Sequence, residues 1–190
     1  MLRFAVPDDA EALRTIYAQY IDTSVTFEYD LPTAEAFRRR VEDISAVYPY
    51  LVWEEDSAIL GYAYAHRYRE RAAYQWGAEL SVYLDRDARG RGLGAKLYGA
   101  LMELLRLQGI RAVYGVVTQP NEASDRLHTA MGFTVAGVVH NAGYKNGRWH
   151  DVTTYEKLIG DFDETPQPLK SIRDVDPAAA RVVDEFQLNY

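Results

Sequence analysis

At 190 residues with a formal net charge of −7, the chain has room for one domain and lacks the basic balance a general nucleic-acid binder needs. It has no cysteine, so disulfides, cysteine-ligated zinc and a thiol nucleophile are excluded, and a cytoplasmic location is expected. No apolar run reaches membrane-span length, MLRFAVPDDAEALR has no signal-peptide core, and the four histidines form no HxxxH-type pair, so neither a membrane nor a metal is expected.

In chain order, FAV reads as a short first strand. Leu13, Ile16, Tyr17 and Tyr20 recur at helical spacing behind Pro7-Asp8-Asp9, which predicts a helix over residues 9–20. DTSVTFEYDLP is irregular. A second helix follows, with Thr33 as N-cap and Phe37, Val41 and Ile44 on one face. YLVWEE and ILGYAYAHRY flank a polar turn and suggest a hairpin, with AELSVYL as the next strand. Leu93, Leu97, Leu101 and Leu105 mark a long helix that Gly109 terminates. AVYGVVT is a buried-looking strand, Asn121 caps a short helix closed by Gly132, and FTVAGVV and DVTTYEKLI complete the strands. The order βααβββαβαββ places helices on both faces of a sheet, an α/β or α+β class. The 15 tyrosines fall mostly in strand-like stretches, where aromatics pack well. From about Gly160 the chain carries three prolines and seven acidic against three basic residues, which reads as a solvated tail; DPAAARVVDEF has the alternative of a short docked helix.

RDARGRGLGAKLY sits between a strand and a helix. Gly90, Gly92 and Gly94 there would let backbone N–H groups at a helix start converge on an anion, with Arg89 and Arg91 adding charge. An ordinary strand-to-helix turn would need only one or two glycines. The spacing is neither GxxxxGK[ST] nor G-x-G-x-x-G.

Arg89-Gly90-Arg91-Gly92-Leu93-Gly94 resembles the Q/R-x-x-G-x-G/A signature of the GNAT acyl-CoA N-acetyltransferases, after the fourth strand and at the third helix, and PNEASDRLHTAMGF resembles that family's second landmark. VTFEYDLPT, AYQWGAELSVYL, AKLYGALMELLRLQGI and AGYKNGRWHDV are similar to the phosphinothricin N-acetyltransferase subfamily, so the likeness spans roughly residues 2–158. It implies a mixed, mostly antiparallel central sheet in a domain over residues 1–159, followed by the tail at 160–190. It also implies acetyl-CoA as cosubstrate and a homodimer. The backbone of Val82, Tyr83 and Leu84 would pair with the pantetheine arm. The amides from Gly90 to Ala95 would hold the pyrophosphate, and Asn121, with Ser124 close by, would bond the pantetheine.

The chemistry needs a base, because a free amino group is mostly protonated at neutral pH. Glu79 shares a strand face with Ser81 and Tyr83 in an otherwise apolar strand. Spacing alone favours a strand-end carboxylate paired with an arginine; the resemblance implies a general base. His128 stands where many GNAT enzymes carry a tyrosine that protonates the thiolate, and a lone helix histidine is also commonly structural. Arg67, Arg69 and Arg71 suit an anionic acceptor group, or form an exposed basic strand face. By resemblance Arg69, Arg71 and Tyr74 border the acceptor site, and Phe27 and Glu28 belong to a lid. Tyr144, Lys145, Trp149 and His150 either complete the pocket from a neighbouring subunit or are hairpin packing. The function implied is acetyl transfer to the α-amino group of a small acceptor of phosphinothricin, methionine sulfoximine or methionine sulfone type. The alternatives are a protein or peptide amine as acceptor, and an inactive acetyl-CoA-binding module.

Overall fold

The chain is described by a computed structural model over residues 1–162 and 165–188. Its strands are β1 (Leu2–Phe4), β2 (Tyr50–Glu55), β3 (Ala58–Arg67), β4 (Gly77–Leu84), β5 (Ala112–Thr118), β6 (Thr134–Lys145) and β7 (Arg148–Leu158). They form one sheet in the order β1-β2-β3-β4-β5-β7-β6. Every neighbouring pair is antiparallel except β4–β5. The helices are α1 (Ala10–Ala18), α2 (Ala34–Ser45), α3 (Leu93–Gln108), α4 (Glu122–Ala130) and α5 (Asp176–Leu188).

Alternation along the strands sends side chains to two different cores. On one face Tyr50, Val52 and Tyr62 meet Leu13, Ile16 and Tyr17 of α1 and Phe37 and Val41 of α2. On the other face Leu51, Ala63, Ala65 and Leu80 meet Leu93, Leu97, Leu101 and Leu105 of α3. The helix ends follow local chemistry. Thr33 accepts the Ala36 amide as N-cap, and Gly109 ends α3 in the left-handed region at φ 95°.

Two expectations change. β6 and β7 run further than FTVAGVV and DVTTYEKLI suggested, because Asn146 (φ 51°) and Gly147 (φ 78°) make the tight left-handed turn that joins long strands. The preferred reading of the tail as solvated gives way to the docked alternative. Lys170 and Ile172 donate backbone hydrogen bonds to the Gln108 and Val47 carbonyls. A 3-10 turn and α5 then bury Ile172, Val175, Ala179 and Val183 in the α3 core. Two pairs of tail positions, 163–164 and 189–190, lie outside the described residues.

Candidate active site

The site begins where two strands part. β4 and β5 pair only from Gly77–Ala112 to Glu79–Tyr114. Beyond that point β5 stays with β7 and β4 stays with β3, leaving an open edge on β4. Backbone groups alternate between the two sides of a strand. Asp85 donates to the Leu60 carbonyl and Tyr68 to the Gly77 carbonyl, so odd-numbered β4 residues bond β3 and Leu80, Val82 and Leu84 face the split. The Tyr83 backbone therefore pairs with Tyr62, unlike the expectation for it. The Leu84 carbonyl accepts from the Tyr20 hydroxyl at 2.6 Å, and the Leu84 amide donates to that oxygen at 3.1 Å. Tyr98 reaches the Leu80 carbonyl at 3.3 Å. Val82 lies between these two tyrosine clasps.

An open cleft of about 410 Å³ runs along this edge, past Val82, Leu84, Gly90, Gly92 and Asn121. Gly90 and Gly92 both have φ 75°, a left-handed conformation that disfavours any side chain. Gly92 is the N-cap of α3 and offers no side-chain cap, and the first turn of α3 carries no acidic residue. The first-turn amides have no intrahelical acceptor and sit at the positive end of the helix dipole. Arg86 and Arg89 border the cleft, and the Arg89 guanidinium lies 5.0 Å from the Tyr20 ring centre. This arrangement suits a diphosphate. Arg91 instead extends to Glu55, with 2.6 Å between them.

A second cavity, about 70 Å³, continues into the split between Leu80–Tyr83 and Gly115–Thr118. Asn121 and Ser124 border both cavities. Asn121 Oδ1 caps α4 by accepting the Ser124 amide at 3.2 Å, which leaves its NH2 group as donor. His128 closes the inner end. Its ring stacks on Tyr155 with centroids 4.8 Å apart and meets Phe133 edge-on at 5.0 Å. Nδ1 lies 2.8 Å from the Ser124 carbonyl, which can only accept, so Nδ1 carries the proton of the neutral ring. Nε2, buried and without a hydrogen-bond partner, faces Gly115. Burial lowers the His128 pKa, opposed by the bond to Ser124 and by Asp125.

Glu79 occupies the apex of the split on the opposite face and borders neither cavity. Burial raises its carboxyl pKa, with His66 pulling the other way. Tyr114 opposes Glu79 on β5 and stacks on Tyr68 at 3.8 Å. Arg69 covers the rings of Tyr68 and Tyr74, 5.0 and 5.2 Å from their centres, while Arg71 is exposed at the start of the 3-10 turn Ala72–Tyr74. The α1–α2 loop approaches from elsewhere. Lys145 donates to the Thr26 and Glu28 carbonyls at 2.6 and 2.8 Å, fastening the loop to β6. Phe27 packs on Gly143 and His150. Glu28 pairs with Arg40 at 2.7 Å, and its second oxygen is buried without a hydrogen-bond partner. The fold thus brings Glu79 and His128 to one split from opposite faces, with the Arg69–Tyr74 cluster beside it.

Sequence reasoning passed over Tyr20, Arg86 and Tyr98, whose signals were those of ordinary core or turn residues. It also passed over His66, hidden in a segment read for its arginines. Among the described residues no group of three or more His, Cys, Asp or Glu could hold a metal ion, and no helix is long and apolar enough to cross a membrane.

The acetyltransferase (GNAT) domain model matches residues 2–154, and the chain belongs to that family. It is 37% identical over 175 residues to a phosphinothricin N-acetyltransferase of Streptomyces viridochromogenes, covering 92% of this chain and 93% of that one. An L-methionine sulfoximine/L-methionine sulfone acetyltransferase of Pseudomonas paraeruginosa is 33% identical over 155 residues, covering 80% of this chain and 90% of its own. The crystal structure of a phosphinothricin acetyltransferase from Sinorhizobium meliloti in complex with acetyl-CoA superposes with a TM-score of 0.84 at 33% identity, covering 88% of this chain and 92% of that one. The fold and relatives make this chain an N-acetyltransferase.

Proposed function

We propose that the protein transfers acetyl from acetyl-CoA to the α-amino group of a small amino-acid-like acceptor with a tetrahedral, oxygen-bearing far end, such as phosphinothricin, methionine sulfoximine or methionine sulfone. The observation that carries this reading is the β4–β5 split, with a helix start free of side-chain caps and acids at its mouth and the half-buried Glu79 carboxylate at its apex.

The cosubstrate lies along β4, with its diphosphate at Gly90–Ala95 and its pantetheine between Val82 and Asn121. Glu79 takes one proton from the acceptor's ammonium group. The freed amine attacks the thioester carbon, directly, because the chain offers no cysteine for an acyl relay. Nε2 of His128 receives the second proton from the nitrogen of the tetrahedral adduct and passes it to the departing sulfur as the C–S bond breaks. The neutral ring holds no proton on Nε2 at the outset, so accepting comes before donating. Arg69, Arg71 and Tyr74 face the acceptor's anionic end, and Phe27 and Glu28 close over it.

Incubation with acetyl-CoA and each acceptor, monitored as free thiol released, tests this reading. Thiol release with at least one of the three is expected. Silence with all three, with turnover of a basic peptide, would move the function to peptide amines.

A cytoplasmic homodimer completes the reading. Support for the dimer comes from β6, an outer strand exposed along Val135, Val138 and Val139; sedimentation equilibrium checks it, with a monomer at micromolar concentration the contrary result. Support for the compartment comes from the intracellular cosubstrate, and cell fractionation checks it.

A further inference from the structure

We propose that His66 is the proton outlet of Glu79: the imidazole receives the proton Glu79 takes from the acceptor and delivers it to solvent. The inference rests on the proposed acetyl transfer and assigns a residue to a step that reaction leaves open. Acetylating an ammonium group releases one proton overall. Of the two protons leaving nitrogen, one ends on coenzyme A sulfur, so the other must leave the protein from Glu79 before the next cycle.

β3 and β4 pair His66 directly with Glu79, so both side chains project from the same face. Nε2 of His66 lies 3.7 Å from Oε1 of Glu79, a gap that a small side-chain rotation or one water spans. The His66 side chain is 39% exposed and that of Glu79 24%, so exposure rises in the outward direction. Nδ1 of His66 lies 3.0 Å from the Arg67 carbonyl. A carbonyl only accepts, so Nδ1 holds the hydrogen of the neutral ring and Nε2 turns its lone pair to the carboxyl. The step balances without a co-reactant: Oε1–H breaks, Nε2–H forms, and the imidazolium loses that proton to water. Histidine is the side chain suited to this exchange near neutral pH.

The neighbouring titratable and charged groups include Tyr64 on β3, 6.1 Å from the His66 ring, Tyr114 opposite Glu79 on β5, and Tyr98 from α3, whose hydroxyl feels the Glu79 charge. The Arg40–Glu28 pair reaches Tyr64 from α2 and the loop before it. His66 touches no reacting atom in this scheme; it is a positioning and relay residue for Glu79.

The test compares wild type with His66→Gln and His66→Asn, which keep a polar group but cannot carry a proton onward. Calorimetric acetyl-CoA binding certifies that each variant is folded. The expected result is a fall in kcat of about tenfold, with KM for acetyl-CoA unchanged. The acid limb of kcat/KM should move to higher pH, because the group that favours the Glu79 carboxylate is gone. Added imidazole or MES buffer should restore kcat in the His66 variants and leave Glu79→Gln inactive. Unchanged kcat and acid limb, or a loss that buffer does not restore, would overturn the outlet. A wild type inactive on every small acceptor would overturn the functional reading, and the outlet with it.

Discussion

A carboxylate that must strip a proton from an ammonium group works best when its own proton affinity is lifted toward neutrality. Burial at the apex of the split does this for Glu79. Glu79→Gln should lower kcat by about 10²-fold or more in the thiol-release assay, with acetyl-CoA affinity unchanged. The same shift has a stability consequence. A carboxyl whose folded pKa is raised contributes fully below its unfolded pKa and loses that contribution as pH rises through the folded value. Thermal melts should therefore show Glu79→Gln more stable than wild type at pH 7.5, with the difference vanishing near pH 4; a pH-independent difference would contradict the assignment. Gly115 supplies the second residue-scale test. A Cβ there collides with Nε2 of His128, so Gly115→Ala should cost about 1–3 kcal/mol in urea unfolding and lower kcat with it. Glu79 was legible in sequence as a lone acid in an apolar strand, and the register was needed to reveal His66 as its neighbour. Gly115 gave no signal, because its need for smallness arises from a ring 13 positions later in sequence, on another element.

At the scale of elements, the cofactor end was the most readable part of the chain. Glycines between a strand and a helix state their purpose locally, and the structure uses two of them at positive φ. Asn121 and Thr33 were equally readable as caps, since capping is a matter of three residues. The proposed acceptor end was not, because the α1–α2 loop, the β3–β4 connection and the β6–β7 hairpin that would assemble it lie far apart in sequence. Lys145 joins two of these. The residue is 3% exposed and its ammonium group is bonded to loop carbonyls, with burial lowering its pKa against the pull of Asp22 and Glu28. Lys145→Met removes both donors, leaving Thr26 and Glu28 carbonyls to find other partners at a cost of about 1–3 kcal/mol. Loosening Phe27 and Glu28 should raise KM for the acceptor several-fold in steady-state assays while the Kd of acetyl-CoA holds. An unchanged acceptor KM would show that the loop takes no part in binding.

At the scale of the whole molecule, α5 turns an apparently polar tail into part of the core. The signal was present: Ile172, Val175, Ala179, Val183 and Phe186 recur every three or four residues, masked by Pro177 and the acids between them. Phe186 lies so close to Gly99 of α3 that a Cβ there would come within 2.7 Å of its ring. Phe186→Ala should lower unfolding free energy by about 2 kcal/mol in denaturant titrations, with acetyl-CoA affinity retained because Phe186 does not line the cleft. No stability change would mean that α5 does not hold the body together.

The claim on which all three scales depend is that the left-handed glycine turn and open β4 edge grip acetyl-CoA. Calorimetric titration of acetyl-CoA into wild type and Gly92→Ala tests it most directly. A methyl group at φ 75° costs about 1–2 kcal/mol of local strain, so one-site micromolar binding to wild type is expected, weakened about tenfold or more in the variant. No heat of binding with wild type, or identical affinity in the two proteins, would contradict it.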